Sequence, residues 1–291
     1  MAFDSFLVRR GLRLEAVVIG GAALNLLGIA SRPIRDCDIL HPELPAAILE
    51  AARAFAAEMR GRRAVLPAEP LQAESLTSAM VGIGMCFAAP AHVEANIEDT
   101  LLFASVEGME RDDLRVLAVL VTWLGVHAAW VNADRLTRLI QHHHSPRVRA
   151  FWSAFARSQD KDRRFARLAA VHEGERADLL RVGTEFQIRR HGEDERFAGT
   201  ALCVPANVLR DRAADVLSSE ELAQRHLTYR YRIMMGPSYR ADMWAALEGD
   251  PSLTVAQLAR RTYGSFATAW HVKRDFEILT ASRTPSPRPA S

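Results

Sequence analysis

Asp36 and Asp38, separated by a single residue, lie downstream of a Gly20-Gly21 pair in the stretch VVIGGAALNLLGIASRPIRDCDIL, Val17 to Leu40. On an extended segment alternate side chains share a face, so the two carboxylates point one way and Cys37 the other. Like charges held that close raise each other's proton affinity unless a cation neutralises them, and oxygen donors of this kind suit a hard divalent ion such as Mg²⁺. The diglycine offers a turn with no Cβ, where backbone N–H groups and a helix N-terminus approach a phosphate closely. A metal clamp beside a phosphate cradle points to phosphoryl or nucleotidyl transfer. The same residues also fit a βαβ-like unit whose acids merely cap a strand end.

The elements that must position these groups are short. Ala16 to Ile19 reads as an apolar strand, a small-residue helix follows the diglycine through Leu27, and a second strand carries Asp36 and Asp38. Residues before Ala16 form an amphipathic helix. Pro45 to Met59 is alanine-rich, with Ile48, Leu49, Ala52, Phe55 and Ala56 at helical spacing, and Pro67 and Pro70 punctuate its end. Met80 to Ala88 and His92 to Phe103 contain β-prone runs separated by Pro90.

Gly20-Gly21, Gly28 and the run Arg32-Pro33-Ile34-Arg35-Asp36-Cys37-Asp38-Ile39-Leu40 resemble the signature of polymerase-β-type nucleotidyltransferases. More narrowly they are similar to the AbiEii-like or minimal nucleotidyltransferases, where a glycine-rich segment precedes R-x-T-x-D-x-D. Ile34 stands where that pattern has threonine, so a hydroxyl near the phosphates is missing. The resemblance implies a mixed-sheet nucleotidyltransferase-type domain that uses a nucleoside triphosphate and Mg²⁺. Asp36 and Asp38 would hold the metal, Gly20 and Gly21 would seat the phosphates, and Arg32 or Arg35 would offset charge. It further implies a third carboxylate on a strand beside the aspartates. Alternation in His92 to Asp99 puts Glu94, Asn96 and Glu98 on one face, which makes Glu94 the candidate and Glu98 the reserve; an ordinary strand with a solvated acidic face fits as well. The acceptor would be an RNA or tRNA end, a protein or a small molecule. The family suggests the toxin of a toxin–antitoxin or phage-defence system, with an antitoxin protein as partner.

With 291 residues, 49% hydrophobic and 25% charged, the chain has room for two or three ordinary domains. A formal charge of +2 leaves nucleic-acid binding to local basic faces. Cys37, Cys86 and Cys203 are too scattered for a disulfide framework or a zinc site, which fits a reducing cytoplasm. The N-terminal segment has no export-signal pattern, and the apolar run Val116 to Val131 is too short to span a bilayer, so no membrane association is expected.

From Arg111 the texture is helical. Asp112 and Asp113 start a helix over Leu114 to Trp130, and Asn132-Ala133-Asp134 begins another, Arg135 to His142. Successive residues of the triple His142-His143-His144 diverge on a helix and cannot converge on one ion, so it reads as a helix end stopped by Pro146. Arg147 to His172 interleaves arginines with Phe151, Trp152, Phe155 and Phe165. A core face backed by solvated arginines is the favoured reading over a nucleic-acid surface. Leu179 to Val204 alternates as a possible hairpin about His191-Gly192-Glu193-Asp194, and Pro205 to Arg232 is helical again, with Ser218-Ser219 as a cap.

The last module reads as three helices. Ser238 to Leu247 is the first, Thr254 begins the second, and Ser265 after Gly264 caps the third, whose Ala269, Val272, Phe276 and Leu279 face inward. The spacing resembles the helix-turn-helix of winged-helix DNA-binding domains, with Ala267, Thr268, Trp270, His271 and Arg274 presented outward to DNA. The whole is an α+β chain: a nucleotidyltransferase-like domain over 1–110, a mainly helical domain over 111–225, a winged-helix-like module over 226–280 and a disordered tail over 281–291. Two functions follow. One is a Mg-dependent nucleotidyltransferase; the other is a DNA-binding transcriptional regulator whose front domain only senses a nucleotide.

Overall fold

The computed structural model describes residues 17–19, 38–40, 70–159 and 161–281. The chain divides into two units, Met1–Arg63 and Ala64–Ser291. In the first, the β-branched run Val17–Ile19 forms β1 and Asp38–Leu40 forms β2. They pair antiparallel, Val17 opposite Leu40, Val18 opposite Ile39 and Ile19 opposite Asp38. The helices expected before Ala16, after Gly21 and over Pro45 to Met59, and the tail beyond Ala281, lie outside the described residues.

The second unit is α-rich. Its elements are α1 (Ala73–Gly82), α2 (Ile97–Glu110), α3 (Leu114–His127), α4 (Ala133–Gln141), α5 (Pro146–Ser158), α6 (Ala166–Ala169), β3 (Ala177–Asp178), α7 (Thr184–His191), β4 (Leu202–Cys203), α8 (Ser219–Arg225), α9 (Leu227–Met235), α10 (Tyr239–Gly249), α11 (Val255–Arg261) and α12 (Phe266–Ala281). With two short sheets among mostly helices, the described elements are α+β. No described helix is long and apolar enough to cross a membrane.

The centre is α2 against α3. Asn96 caps α2 by accepting the Asp99 N–H at 3.0 Å, and Asp113 caps α3 by accepting from Arg115 and Val116. Leu101, Leu102, Leu117, Leu120, Trp123, Trp152 and Phe151 fill the space between them and α5. The Trp123 indole donates to the Ile83 carbonyl at 2.7 Å, tying the end of α1 to this core. A second, smaller apolar cluster of Met243, Leu247, Leu253, Leu258, Ala269 and Val272 holds α10, α11 and α12 together.

Three expectations are corrected. The β-prone runs at Met80 to Ala88 and His92 to Phe103 fall largely in α1, in the turn at Val93 and Glu94, and in α2. The short alternation through Ile97 is overridden by the Asn96 cap and by burial around Leu101, Leu102 and Met109. Leu179 to Val204 is no hairpin: α7 begins after Gly183, whose φ of +84° is a left-handed conformation suited to glycine, and β3 pairs parallel with β4. Residues 205–218 are turns and one 3₁₀ segment, Ala213–Asp215, before α8 starts at the capping box of Ser218 and Glu221. The three C-terminal helices fall where the sequence puts them, except that Leu279 is 57% exposed rather than inward.

Candidate functional site

The antiparallel register brings one feature of the sequence motif together. Ile19, the last residue of β1, faces Asp38, the first of β2, so the chain leaves toward Gly20 and arrives from Cys37 at the same end of the ladder. Gly20, Gly21, Arg32, Arg35 and Asp36 themselves lie outside the described residues, as does the Asp38 side chain.

The acids expected to complete the site belong to the second unit, and neither is on a strand. Glu94 sits exposed in a turn and pairs with Arg261 at 2.8 Å. Glu98, in the first turn of α2, is fully buried and accepts from both terminal nitrogens of Arg232, at 2.6 and 2.9 Å, and from the Asn132 N–H at 2.8 Å. Burial pushes its carboxyl up, but Arg232 and these hydrogen bonds hold it below its ordinary value. With its oxygens so engaged, Glu98 is a structural anion and not an open ligand.

Around it lies a buried polar network that the sequence did not disclose. Arg232 also donates to Asp242 through Nε at 2.7 Å and Nη2 at 3.0 Å. The Asp99 carboxylate receives Arg135 and, at 2.8 Å, the Tyr263 hydroxyl, while the Arg135 guanidinium lies 3.3 Å over the Tyr263 ring. Burial raises Asp99 and Asp242 despite these cations, and burial with Asp99 raises the Tyr263 phenol. Tyr263 is in the turn between α11 and α12 with a φ of +56°, so the network joins that turn and α10 to α2, α4 and α9. Arg232 in an otherwise core-facing helix was the one local signal; its partner Glu98 is 134 residues away in sequence.

Two buried histidines hold the seam beside it. The His226 Nε2 meets the Ala95 carbonyl at 2.9 Å, so it carries the proton, and its Nδ1 accepts the Tyr229 N–H at 3.2 Å, capping α9. His127 meets the Leu217 carbonyl through Nε2 and the Tyr229 hydroxyl through Nδ1 at 2.7 Å. Burial lowers both imidazoles to about 4.

On α12 the candidate DNA-reading residues are largely engaged with one another. The Thr268 hydroxyl is 2.7 Å from that of Ser265, which caps the helix. Trp270 is half-buried, edge-on to His271 at 4.9 Å, and the Arg274 guanidinium lies 5.4 Å over its ring and 3.2 Å from Asp275. Within 239–281 Arg240, Arg260, Arg261, Lys273 and Arg274 are balanced by Asp242, Glu248, Asp250, Asp275 and Glu277, so the module has no net positive field.

The earlier basic stretch is mostly spent on structure. Arg147 donates to the Leu179 carbonyl, Arg149 to His143 and Arg164 to Ala129, while Phe151, Trp152 and Phe165 are buried. His143 accepts the Ser145 N–H and stacks on His144; among the described residues no three His, Cys, Asp or Glu side chains are placed to hold a metal. Comparison of the chain with protein-family models, with curated proteins and with solved structures finds no match among any of them.

Proposed function

We propose that the chain is a Mg-dependent nucleotidyltransferase, moving a nucleoside monophosphate from a nucleoside triphosphate to an acceptor hydroxyl. The observation that carries this reading is the register of β1 and β2, which opposes Ile19 to Asp38 and so sets the diglycine and the paired aspartates at one end of the sheet. Two carboxylates spaced one residue apart are the hard oxygen donors that Mg²⁺ takes, and that ion would offset the charge of the triphosphate. Asp36 and Asp38 hold it; one of them accepts the proton of the acceptor hydroxyl as that oxygen attacks the α-phosphorus. Gly20 and Gly21 seat the phosphates through backbone N–H groups, and Arg32 or Arg35 balances the departing pyrophosphate. Glu94, paired with Arg261, and Glu98, locked by Arg232, are left out of the ligand set.

The acceptor is an RNA or tRNA end, a protein or a small molecule. A toxin role opposed by an antitoxin protein rests on the resemblance alone. The test incubates the full chain with each of the four labelled triphosphates, Mg²⁺ and total RNA. Label transfer that disappears in Asp36→Asn, with the far-ultraviolet spectrum unchanged, is the expected result. Transfer that persists in that variant overturns the assignment. No transfer from any triphosphate, together with a salt-dependent gel shift of DNA, would move the conclusion to a regulator working through α11 and α12.

A further inference from the structure

The second unit contains a cleft of about 800 Å³ bounded by α3, α5 and the segments around Phe197 and Asp211. That volume falls within the roughly 300–1,000 Å³ of small-molecule sites. Its wall is apolar where it is deepest, formed by Val121, Leu124, Phe155 and Phe197, and Val126 adds an apolar surface that is 46% exposed.

Gly125 is the second observation. It lies within α3, where glycine costs about 1 kcal/mol relative to alanine, yet a Cβ built there meets nothing within 4 Å. Packing does not require the missing side chain. What its absence does is keep the cleft open at that point of the helix surface.

The rim supplies the charge. Arg196 is already paired with Asp194, and Asp211 lies 3.3 Å from the Thr122 hydroxyl. Among the described residues Arg157 and Glu195 form no ion pair. A shallow hollow that shares Ser158 and Gln159 with the cleft adds Lys161, also unpaired among them. Two free cations against one free carboxylate favour an acidic ligand group.

We propose that this cleft is a binding site for a small amphipathic anion, an apolar ring or chain carrying one acidic group. The apolar body lies along Gly125 against Leu124, Phe155 and Phe197, and the acidic group meets Arg157 at the mouth. The site is independent of the nucleotidyl-transfer reading, since every residue it uses belongs to the second unit.

The test titrates the full chain with 8-anilinonaphthalene-1-sulfonate, read by fluorescence, beside the uncharged analogue N-phenyl-1-naphthylamine. Saturable binding at a single site is expected, with Gly125→Trp filling the floor and abolishing the signal of both probes. Arg157→Gln, an exposed change that removes no ion pair, should weaken the sulfonate about tenfold, equivalent to about 1.4 kcal/mol, and leave the neutral probe unmoved. Because that variant keeps its fold, the test holds even where Gly125→Trp does not fold. Sulfonate binding unaltered by Arg157→Gln, or many weak sites without saturation, would overturn the proposal. So would tighter binding of a naphthyl trimethylammonium cation, which would assign the rim to Glu195.

Discussion

A single imidazole shows how the seam of the second unit responds to acid. His226 uses both ring nitrogens while neutral, one donating to Ala95 and the other capping α9, so protonation removes the cap and places a cation at a helix N-terminus close to Arg232. Its folded value of about 4 lies below the ordinary 6.5, as does that of His127. The unfolded chain therefore binds more protons than the folded one between those values. The stability these groups give is fully present above about pH 6.5 and is lost as pH falls toward 4. Asp99 and Asp242, raised by burial, act with the opposite sign: what they add is greatest below their ordinary value of 3.8 and declines as pH rises through their folded values. Two imidazoles give a slope of up to about 2.7 kcal/mol per pH unit inside the window, and His226→Gln should remove about half of it. Urea denaturation across pH 4 to 7 reads the slope directly. An unaltered slope in the variant would contradict the neutral, capping role.

Between elements the tightest crossing is at the end of α1. The His92 N–H donates to the Ser78 carbonyl at 2.9 Å, bringing the returning chain onto the helix, and a Cβ at Gly82 would sit 1.9 Å from the His92 carbonyl oxygen. Backbone cannot swing aside as a side chain can, so Gly82→Ala should destabilise by at least about 3 kcal/mol, beyond the usual cost of overpacking. A denaturation midpoint within experimental error of the wild type would disprove that contact. This glycine also marks where the sequence stopped being legible. α3, α8 and α11 could be placed because an apolar period coincides with a side-chain cap, at Asp113, Ser218 and Thr254. Residues 93–98 offered only two turns' worth of alternation, and the acids that made the run look half-exposed are in part the buried partners of Arg232 and Arg135. Likewise Val182 and Phe186 alternate yet are 88% and 57% exposed, so their spacing records no buried face at all. Of the candidate site, the diglycine and paired aspartates were legible as a local pattern. The network around Glu98 was not, because its pairings exist only once distant helices have packed.

At the scale of the second unit two apolar cores are present, and the buried charges lie between them. The cluster of α10, α11 and α12 contains six buried side chains, few for a module of that size to stand alone. Its attachment runs through Arg232 to Asp242, Tyr263 to Asp99 and Arg261 to Glu94. Such a junction is sensitive to the loss of one partner rather than of all. Arg232→Met keeps the bulk but leaves Glu98 and Asp242 buried without their shared cation, which costs about 3–5 kcal/mol. Replacing all three charges, in Arg232→Met with Glu98→Leu and Asp242→Leu, should recover much of that loss, since packed apolar groups need no counter-charge. Amide hydrogen exchange distinguishes where the loss falls. In the single variant α10, α11 and α12 should exchange well ahead of α2 and α3, whereas in the wild type the two sets open together. Equal loss of protection across both cores would mean that the charges stabilise the unit as a whole and do not fasten one part of it to the other.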